Sequence, residues 1–130
     1  MTLKTNLETA KYSNGDVIYS HNDPSKYIYL IESGQVRIES KHGLELGVLQ
    51  EGEIFGEVGH IIETPRTVTA IAITNCIIRK INEKTIKEKM INADAVLTAI
   101  IRGLSLRIGD ANHLAEKYWL ELNIYKSLKE

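Results

Sequence analysis

The chain has 130 residues, of which 43% are hydrophobic and 25% are charged, and its formal net charge is −1 at pH 7. This composition is typical of one soluble domain that buries its own core, and the charge excludes a chain whose overall field attracts nucleic acid. Cys76 is the only cysteine and lies in an apolar run. We therefore expect a buried structural thiol, with no disulfide or cysteine-based metal site within the chain.

The sequence shows no targeting or membrane-spanning segment. Residues 1–10 lack the apolar stretch of a signal peptide, and no later run is apolar for long enough to cross a bilayer. We therefore expect a cytoplasmic protein with no membrane partner.

Residues 11–81 are rich in strand signals. Short segments alternate or run apolar, with β-branched and aromatic residues, and turn sequences such as NG, SG and KHG separate them. The predicted strands are 16–20, 27–32, 35–40, 44–49, 67–73 and 76–81. Strands at this spacing predict an antiparallel barrel or jelly roll.

From Asn82 onward the pattern changes to helix. Asn82 suits the N-cap of a short helix over 83–90, and Asn92 or Asp94 suits the start of a long helix that runs to about Leu122 or beyond. We therefore predict a single domain over 1–130, with the barrel at about 11–81 and the C-terminal helices at about 83–126.

The long helix carries a repeat of its own. Apolar residues recur in steps of four and three, as in a coiled-coil seam: Leu97, Ile101, Leu104, Ile108, Ala111, Ala115, Tyr118 and Leu122. A second set, Val96, Ile100 and Leu114, lies off this seam and is expected to pack on the barrel. The seam predicts a homodimer through the helix 94–122. The alternative is a single broad stripe that covers the protein's own core.

Phe55-Gly56-Glu57 is followed, after a short run, by Pro65-Arg66-Thr67. Gly56 lets the backbone approach a bound group, and the amides that begin the intervening helical turn favour an anion. Arg66 supplies a planar charged fork to the same anion, and Glu57 can accept a hydrogen bond from a sugar hydroxyl. Together these groups suit a ribose phosphate.

This motif resembles the phosphate-binding cassette of the cyclic nucleotide-binding domain family, which reads F-G-E, a short helix, then P-R and a small residue. The resemblance covers Lys11 to about Lys117. It implies an antiparallel double-stranded β-helix, a short cassette helix and a long C-terminal helix. Gly59, His60 and Val68 depart from the family's pattern, and only about ten residues precede the barrel where a helical bundle usually lies.

The resemblance also implies a non-catalytic receptor that signals by movement of its C-terminal helix. Its expected ligand-binding residues are Phe55, Gly56, Glu57, Val58, Arg66 and Thr67 in the cassette, Leu46, Val48 and Ile71 on the apolar wall, and Asn112 on the helical lid. The ligand is expected to be cAMP in preference to cGMP, although the Thr67 hydroxyl leaves that choice open. No other cofactor is implied.

The same sequence also bears on four other functional classes: an interaction module, a DNA-binding protein, a metal-binding cupin and an enzyme. A degenerate barrel acting as a dimerisation or protein-interaction module is favoured by Gly59-His60. A DNA reader is not expected, because only about ten residues follow Trp119 where such relatives append a helix-turn-helix. A cupin-like metal site or an enzyme is not expected either, because no histidine pair or activated nucleophile appears among His21, His42, His60, His113 and the serines. The effector protein is not indicated.

Overall fold

A computed structural model of the chain describes residues 7–57 and 64–129. Within these ranges, strands occupy the first part and helices the last. The strands are β1 (Glu8–Tyr12), β2 (Val17–Tyr19), β3 (Tyr27–Ser33), β4 (Val36–Glu39), β5 (Glu45–Leu49), β6 (Ile54–Phe55), β7 (Thr69–Ala72) and β8 (Cys76–Asn82). The helices are α1 (Glu83–Ile91) and α2 (Ala95–Lys129).

The strands form two four-stranded sheets, in the orders β1-β8-β3-β6 and β2-β7-β4-β5. Every pairing is antiparallel, and the pairs are nested: β1 with β8, β2 with β7, β3 with β6 and β4 with β5. This arrangement is a long hairpin rolled into two facing sheets, which confirms the predicted jelly roll.

The core lies between the two sheets. Val36, Ala70, Ala72 and Ile78 are fully buried, with 0% of their surface exposed. Cys76 is also buried, and its thiol donates to the carbonyl of Gln35 at 3.3 Å. The structural role predicted for this cysteine is therefore confirmed.

Each predicted strand segment contains a strand, but two strands escaped prediction. β1 begins at Glu8, before the expected start of the barrel at residue 11. Its sequence ETAKY lacks an apolar alternation because it is a largely exposed edge strand. β6 is only two residues long and lies inside the Phe55-Gly56-Glu57 motif. The predicted cassette helix, at residues 57–62, lies outside the described residues except for Glu57.

The helix boundaries agree with the capping signals. Asn82 caps α1, since its side-chain oxygen accepts a hydrogen bond from the Thr85 amide at 2.9 Å. Asp94 caps α2 in the same way, with the Val96 amide at 2.8 Å. Asn92, the other candidate, ends α1 instead.

The predicted orientation of the long helix was wrong for one set of residues. Val96, Ile100 and Leu114 were expected to pack on the barrel, but they are 67%, 51% and 47% exposed. The inner stripe of α2 consists of residues at helical spacing that are buried or half-buried: Thr98, Ile101, Ser105, Gly109, Asn112, Glu116, Trp119 and Leu120. Polar residues and a glycine interrupt the apolar residues of this stripe, so apolar periodicity alone pointed to the opposite face.

The turn between β3 and β4 depends on Gly34. Its φ is +97°, and a Cβ there would lie 2.6 Å from the Asn75 carbonyl oxygen and 2.7 Å from the Cys76 Sγ. Gly43 has a similar φ of +94° but open space around it. The two glycines therefore separate the cost of backbone strain from the cost of a clash.

We expect Gly43→Ala to lower the free energy of unfolding by about 1–2 kcal/mol, the usual cost of a left-handed residue. Gly34→Ala should cost about 1–3 kcal/mol more, because the added methyl overpacks the turn. Urea denaturation of the two variants and the wild type measures both the cost of the left-handed backbone and the cost of the clash. Equal destabilisation by the two substitutions would contradict the clash at Gly34.

Candidate functional site

Arg66 is the most unusual buried residue, with only 3% of its surface exposed. Its Nη1 donates to the Gly56 carbonyl and its Nη2 to the Tyr27 carbonyl, both at 2.6 Å. Its Nε is buried and makes no hydrogen bond. Among the described residues, no carboxylate lies within 4.0 Å of the guanidinium. A buried cation without an anionic partner is costly, and it marks a site that suits an anion.

The backbone on either side holds Arg66 in place. Its amide donates to the Asp23 carbonyl at 2.8 Å, and its carbonyl accepts from the Asn22 amide at 2.8 Å. Asn22 itself has a φ of +73°, in the left-handed region that asparagine tolerates. The turn at 20–23 therefore holds the backbone of Arg66 through both its amide and its carbonyl, just before β7 begins.

Aromatic rings surround the guanidinium. The Arg66 Cζ lies 4.1 Å from the centroid of the Tyr19 ring and 5.5 Å from that of Tyr29. Burial raises the pKa of both tyrosine hydroxyls, with Arg66 acting in the opposite direction, so both stay neutral near pH 7. Neither tyrosine was among the predicted site residues. Their positions on the inward-facing sides of β2 and β3 were the feature of the sequence that could have indicated them.

Gly56 is required here for two reasons. Its φ is +80°, and a Cβ would lie 2.8 Å from the Arg66 Nη1 and 3.1 Å from the Tyr29 ring. Gly56 was predicted to let the backbone approach a bound group, and in the structure the arginine of the same motif lies close to it. The motif's two halves therefore meet in space.

Glu57 follows at once and faces the same cavity as Arg66. Burial raises the pKa of its carboxyl group, and this effect outweighs the opposing influences of its own backbone amide and of Arg66. Val58, the next predicted ligand residue, lies outside the described residues, as do Gly59 and His60.

The cavity beside Arg66 has a volume of about 160 Å³ and lies between the barrel and α2. It brings together most of the predicted site residues: Phe55, Gly56, Glu57, Arg66, Thr67 and Asn112. A wider cleft of about 680 Å³ adjoins it and shares Arg66, Thr67, Val68 and Asn112 as lining residues. Asn112, predicted to lie on the helical lid, therefore lines both the cavity and the cleft.

The apolar side of this cavity is formed by other residues than the three predicted for it. Leu46, Val48 and Ile71 do not line the cavity, whereas Ile38 and Leu49 do. Val48 and Ile71 both pair with Arg37 across the sheet, which places them on its outer face. Side chains alternate along a strand, so a parity error exchanges the two faces.

A polar contact ties α2 to the barrel. The His42 amide donates to the Glu116 carboxylate at 2.7 Å, and the His42 Nδ1 lies 3.0 Å from the same oxygen. Burial alone would raise the pKa of Glu116, but hydrogen bonds from the His42 amide, the Ser40 hydroxyl and the His42 ring together lower it. The carboxylate is therefore the bound form, and His42 does more than occupy a solvated turn.

Over 7–57 and 64–129, no three histidine, cysteine or carboxylate side chains are grouped so that they can hold a metal ion. In that same part of the chain, neither helix combines the length and apolar character needed to cross a bilayer.

The family model of the cyclic nucleotide-binding domain matches residues 9–92. This match spans more than half of the chain, and the protein belongs to the cyclic nucleotide-binding domain family. It begins within β1 and ends just after α1, so it covers the barrel and both halves of the motif. The resemblance inferred from the sequence is confirmed.

Characterised relatives match smaller shares of their own length. The cAMP-dependent protein kinase regulatory subunit of Yarrowia lipolytica is 27% identical over 86 residues, which is 66% of this chain and 23% of that protein. The cGMP-dependent protein kinase of Plasmodium berghei is 32% identical over 69 residues, which is 53% of this chain and 8% of that protein. The chain thus spans less than a quarter of either relative.

A solved structure matches more of this chain. The EAL enzyme Bd1971 in its cAMP-bound form has a TM-score of 0.74 at 26% identity, over 94% of this chain and 33% of that one. Its cGMP-bound form gives a TM-score of 0.75 over the same 94%, and 34% of that chain. At this coverage the likeness extends beyond the barrel into α2.

Proposed function

We propose that this domain is a non-catalytic receptor that binds a cyclic nucleotide, with cAMP preferred to cGMP, and signals through α2. The observation that carries the proposal is the buried guanidinium of Arg66, which has no anionic partner among the described residues. A cyclic phosphate has one negative charge, so it neutralises this cation without adding a second charge to the cavity.

The neighbouring groups complement the rest of such a ligand. Glu57 lies at the same cavity, where its carboxylate can accept a hydrogen bond from the ribose 2′-hydroxyl. Ile38, Leu49 and Val68 supply an apolar wall for the purine. Asn112, which both donates and accepts, faces the cavity from α2 and can read the edge of the base.

The preference for cAMP rests on the relatives, most of which are cAMP-dependent protein kinase regulatory subunits. The Thr67 hydroxyl lies at the cavity and offers a contact to either purine. Discrimination between the two ligands is therefore expected to be modest, since only one or two polar contacts differ.

Helix α2 provides the route for a signal. It places Ile108 and Asn112 at the cavity while the contact between Glu116 and His42 ties it to the barrel. A ligand that favours one position of the helix shifts the balance of helix positions by its difference in affinity. The receiving effector protein is a partner that the chain's own residues do not identify.

The exposed side of α2 favours a second role, assembly into a homodimer. We call this side the outer face of α2, formed by Leu97, Ile100, Leu104, Ala111, Tyr118 and Leu122. Leu97, Leu104 and Tyr118 are 55%, 51% and 58% exposed. An apolar stripe of this length on one helix is suited to a matching helix. A barrel that serves only as an interaction module would keep this face and lose the ligand.

The first binding prediction is that Arg66→Ala weakens cAMP binding by about 2–5 kcal/mol, or roughly 30-fold to several thousand-fold. Calorimetry with cAMP, cGMP and linear AMP measures the loss, and circular dichroism checks the fold. Arg37→Ala is the matched control, because Arg37 pairs with Glu39 at 2.9 Å on the outer face of the sheet. Unchanged affinity in a folded Arg66→Ala protein would remove this arginine from the site.

The second concerns Glu57→Gln, which should weaken cAMP binding by roughly tenfold, since a hydrogen bond to a charged group is worth about 1 kcal/mol more than a neutral one. A 2′-deoxy cyclic nucleotide should bind both proteins almost equally. Because burial raises the pKa of Glu57, wild-type affinity should fall on acidification earlier than for an ordinary glutamate. The Gln variant should lack this pH dependence. An equal preference for ribose in both proteins would contradict the assignment.

The third is that Leu104→Asp together with Tyr118→Asp dissociates the dimer, because each carboxylate would be buried against the partner's apolar face at a cost of several kcal/mol. Ile101, a member of the predicted seam, belongs instead to the inner stripe and is not suitable for this test. Sedimentation velocity at micromolar concentration measures the mass. Leu128→Asp is the control, because Leu128 is 82% exposed and lies off the seam. A monomeric wild type would contradict the dimer.

A further inference from the structure

We propose that Tyr19 is a positioning residue for ligand binding, whose ring holds the Arg66 guanidinium in one plane without neutralising its charge. The proposal rests on the proposed function and concerns how that same site is kept ready for an anion. Its basis is the distance of 4.1 Å between the Arg66 Cζ and the centroid of the Tyr19 ring.

The ring is itself fixed in place. Tyr19 is 7% exposed, and its ring stacks on Tyr29 at 5.8 Å and on Phe55 at 6.1 Å between centroids. Tyr29 and Phe55 stack on each other at 5.1 Å, which closes a cluster of three rings between the sheets. A ring packed on two neighbours presents one constant face to the guanidinium.

Two kinds of contact then define the position of Arg66. The carbonyls of Gly56 and Tyr27 accept hydrogen bonds in the plane of the guanidinium. The Arg66 Cζ lies over the Tyr19 ring, 4.1 Å from its centroid. In-plane bonds fix the direction of the fork, and the stacked ring fixes its tilt. Of the guanidinium nitrogens, the Nε is left without a hydrogen-bond partner.

The chemistry of these partners explains why the site stays attractive to an anion. A carboxylate placed here would neutralise Arg66 and compete with an incoming phosphate. A tyrosine ring attracts the cation through its quadrupole but carries no net charge, and carbonyls likewise add none. The arginine is therefore held in advance and keeps its full positive charge, which reduces the ordering needed when the ligand binds.

This role belongs to the ring, and the hydroxyl is not required. Tyr19→Phe keeps the face of the ring and should bind cAMP within about threefold of wild type. Tyr19→Leu removes the face and should weaken binding by about tenfold or more, on the scale of a desolvated cation–π contact. Rescue by phenylalanine separates positioning from a contact made by the hydroxyl.

A loss of packing alone must be told apart from a loss of positioning. Tyr12 packs against the same core but is not stacked on Arg66, so Tyr12→Leu serves as the matched control and should leave cAMP affinity unchanged. If Tyr19→Leu does not fold, Tyr19→Met replaces it, because methionine fills a similar volume with a flexible side chain and no ring. In an Arg66→Lys background, the effect of Tyr19→Leu should shrink, since lysine has no plane to hold.

A ligand-free measurement makes failure of this proposal distinguishable from failure of the proposed function. The Nε–H resonance of Arg66 should be shifted by the ring current of Tyr19 in the wild type and in Tyr19→Phe, and should lose that shift in Tyr19→Leu. Calorimetry with cAMP on the same preparations gives the affinities. If the wild type binds no cyclic nucleotide, the proposed function fails, and the resonance alone decides the role of Tyr19.

The outcomes that overturn the proposal are specific. A folded Tyr19→Leu protein with an unchanged Arg66 resonance would show that the ring does not position the guanidinium. Wild-type cAMP affinity in that variant would show that the position has no consequence for the ligand. Equal losses in Tyr19→Phe and Tyr19→Leu would assign the effect to the hydroxyl and exclude the ring.

Discussion

The buried guanidinium of Arg66 is the constraint on which the rest of the site depends. A charge removed from water costs several kcal/mol unless the surrounding groups compensate for it. Here the compensation comes from two carbonyls and an aromatic face, each in a different segment of the chain. Three groups contact this one side chain: the left-handed backbone of Gly56, Tyr27 at the start of β3, and the ring of Tyr19.

The nested strand pairing is what brings those segments together. Tyr27 and Arg66 are 39 residues apart in sequence, yet their atoms meet at 2.6 Å. Because β3 pairs with β6, the motif's first half lies beside β3, with Tyr29 opposite Phe55. Because β2 pairs with β7, which follows Arg66, Tyr19 lies opposite Ala70 near the motif's second half. The roll therefore brings Gly56, Tyr27 and Tyr19 together around the Arg66 guanidinium.

Much of this arrangement could be predicted from the sequence, for reasons that are local. The order and spacing of Phe55, Gly56, Glu57, Arg66 and Thr67 indicated the family, and the capping residues Asn82 and Asp94 marked the helix starts. Alternating patterns located six strands. Local patterns did not show which side chains of a strand point inward. Val48 and Ile71 were placed on the inner face, although their pairing with Arg37 puts them outside.

The tyrosines were missed for a related reason. A tyrosine within a strand is usual in a core, so Tyr19 carried no separate signal until its ring was found against Arg66. The inner stripe of α2 was missed because polar residues interrupt its apolar periodicity: Ser105 is buried, Asn112 lines the cavity and Glu116 contacts His42. Functional surfaces break the patterns that identify a core, so these positions required the structure.

The two faces of α2 differ in what holds them, and that difference bears on the proposal that this helix carries a signal. The inner stripe meets the barrel partly through hydrogen bonds such as that of His42 with Glu116, and each of these contributes only about 0.5–1.5 kcal/mol. The outer face is apolar and does not need the barrel. To shift the helix from one dominant position to the other, a ligand must bind one position about 5.5 kcal/mol more tightly than the other. Because weak contacts hold the helix, a small ligand can supply this difference. A partner on the outer face would then experience the movement without any contact with the cavity.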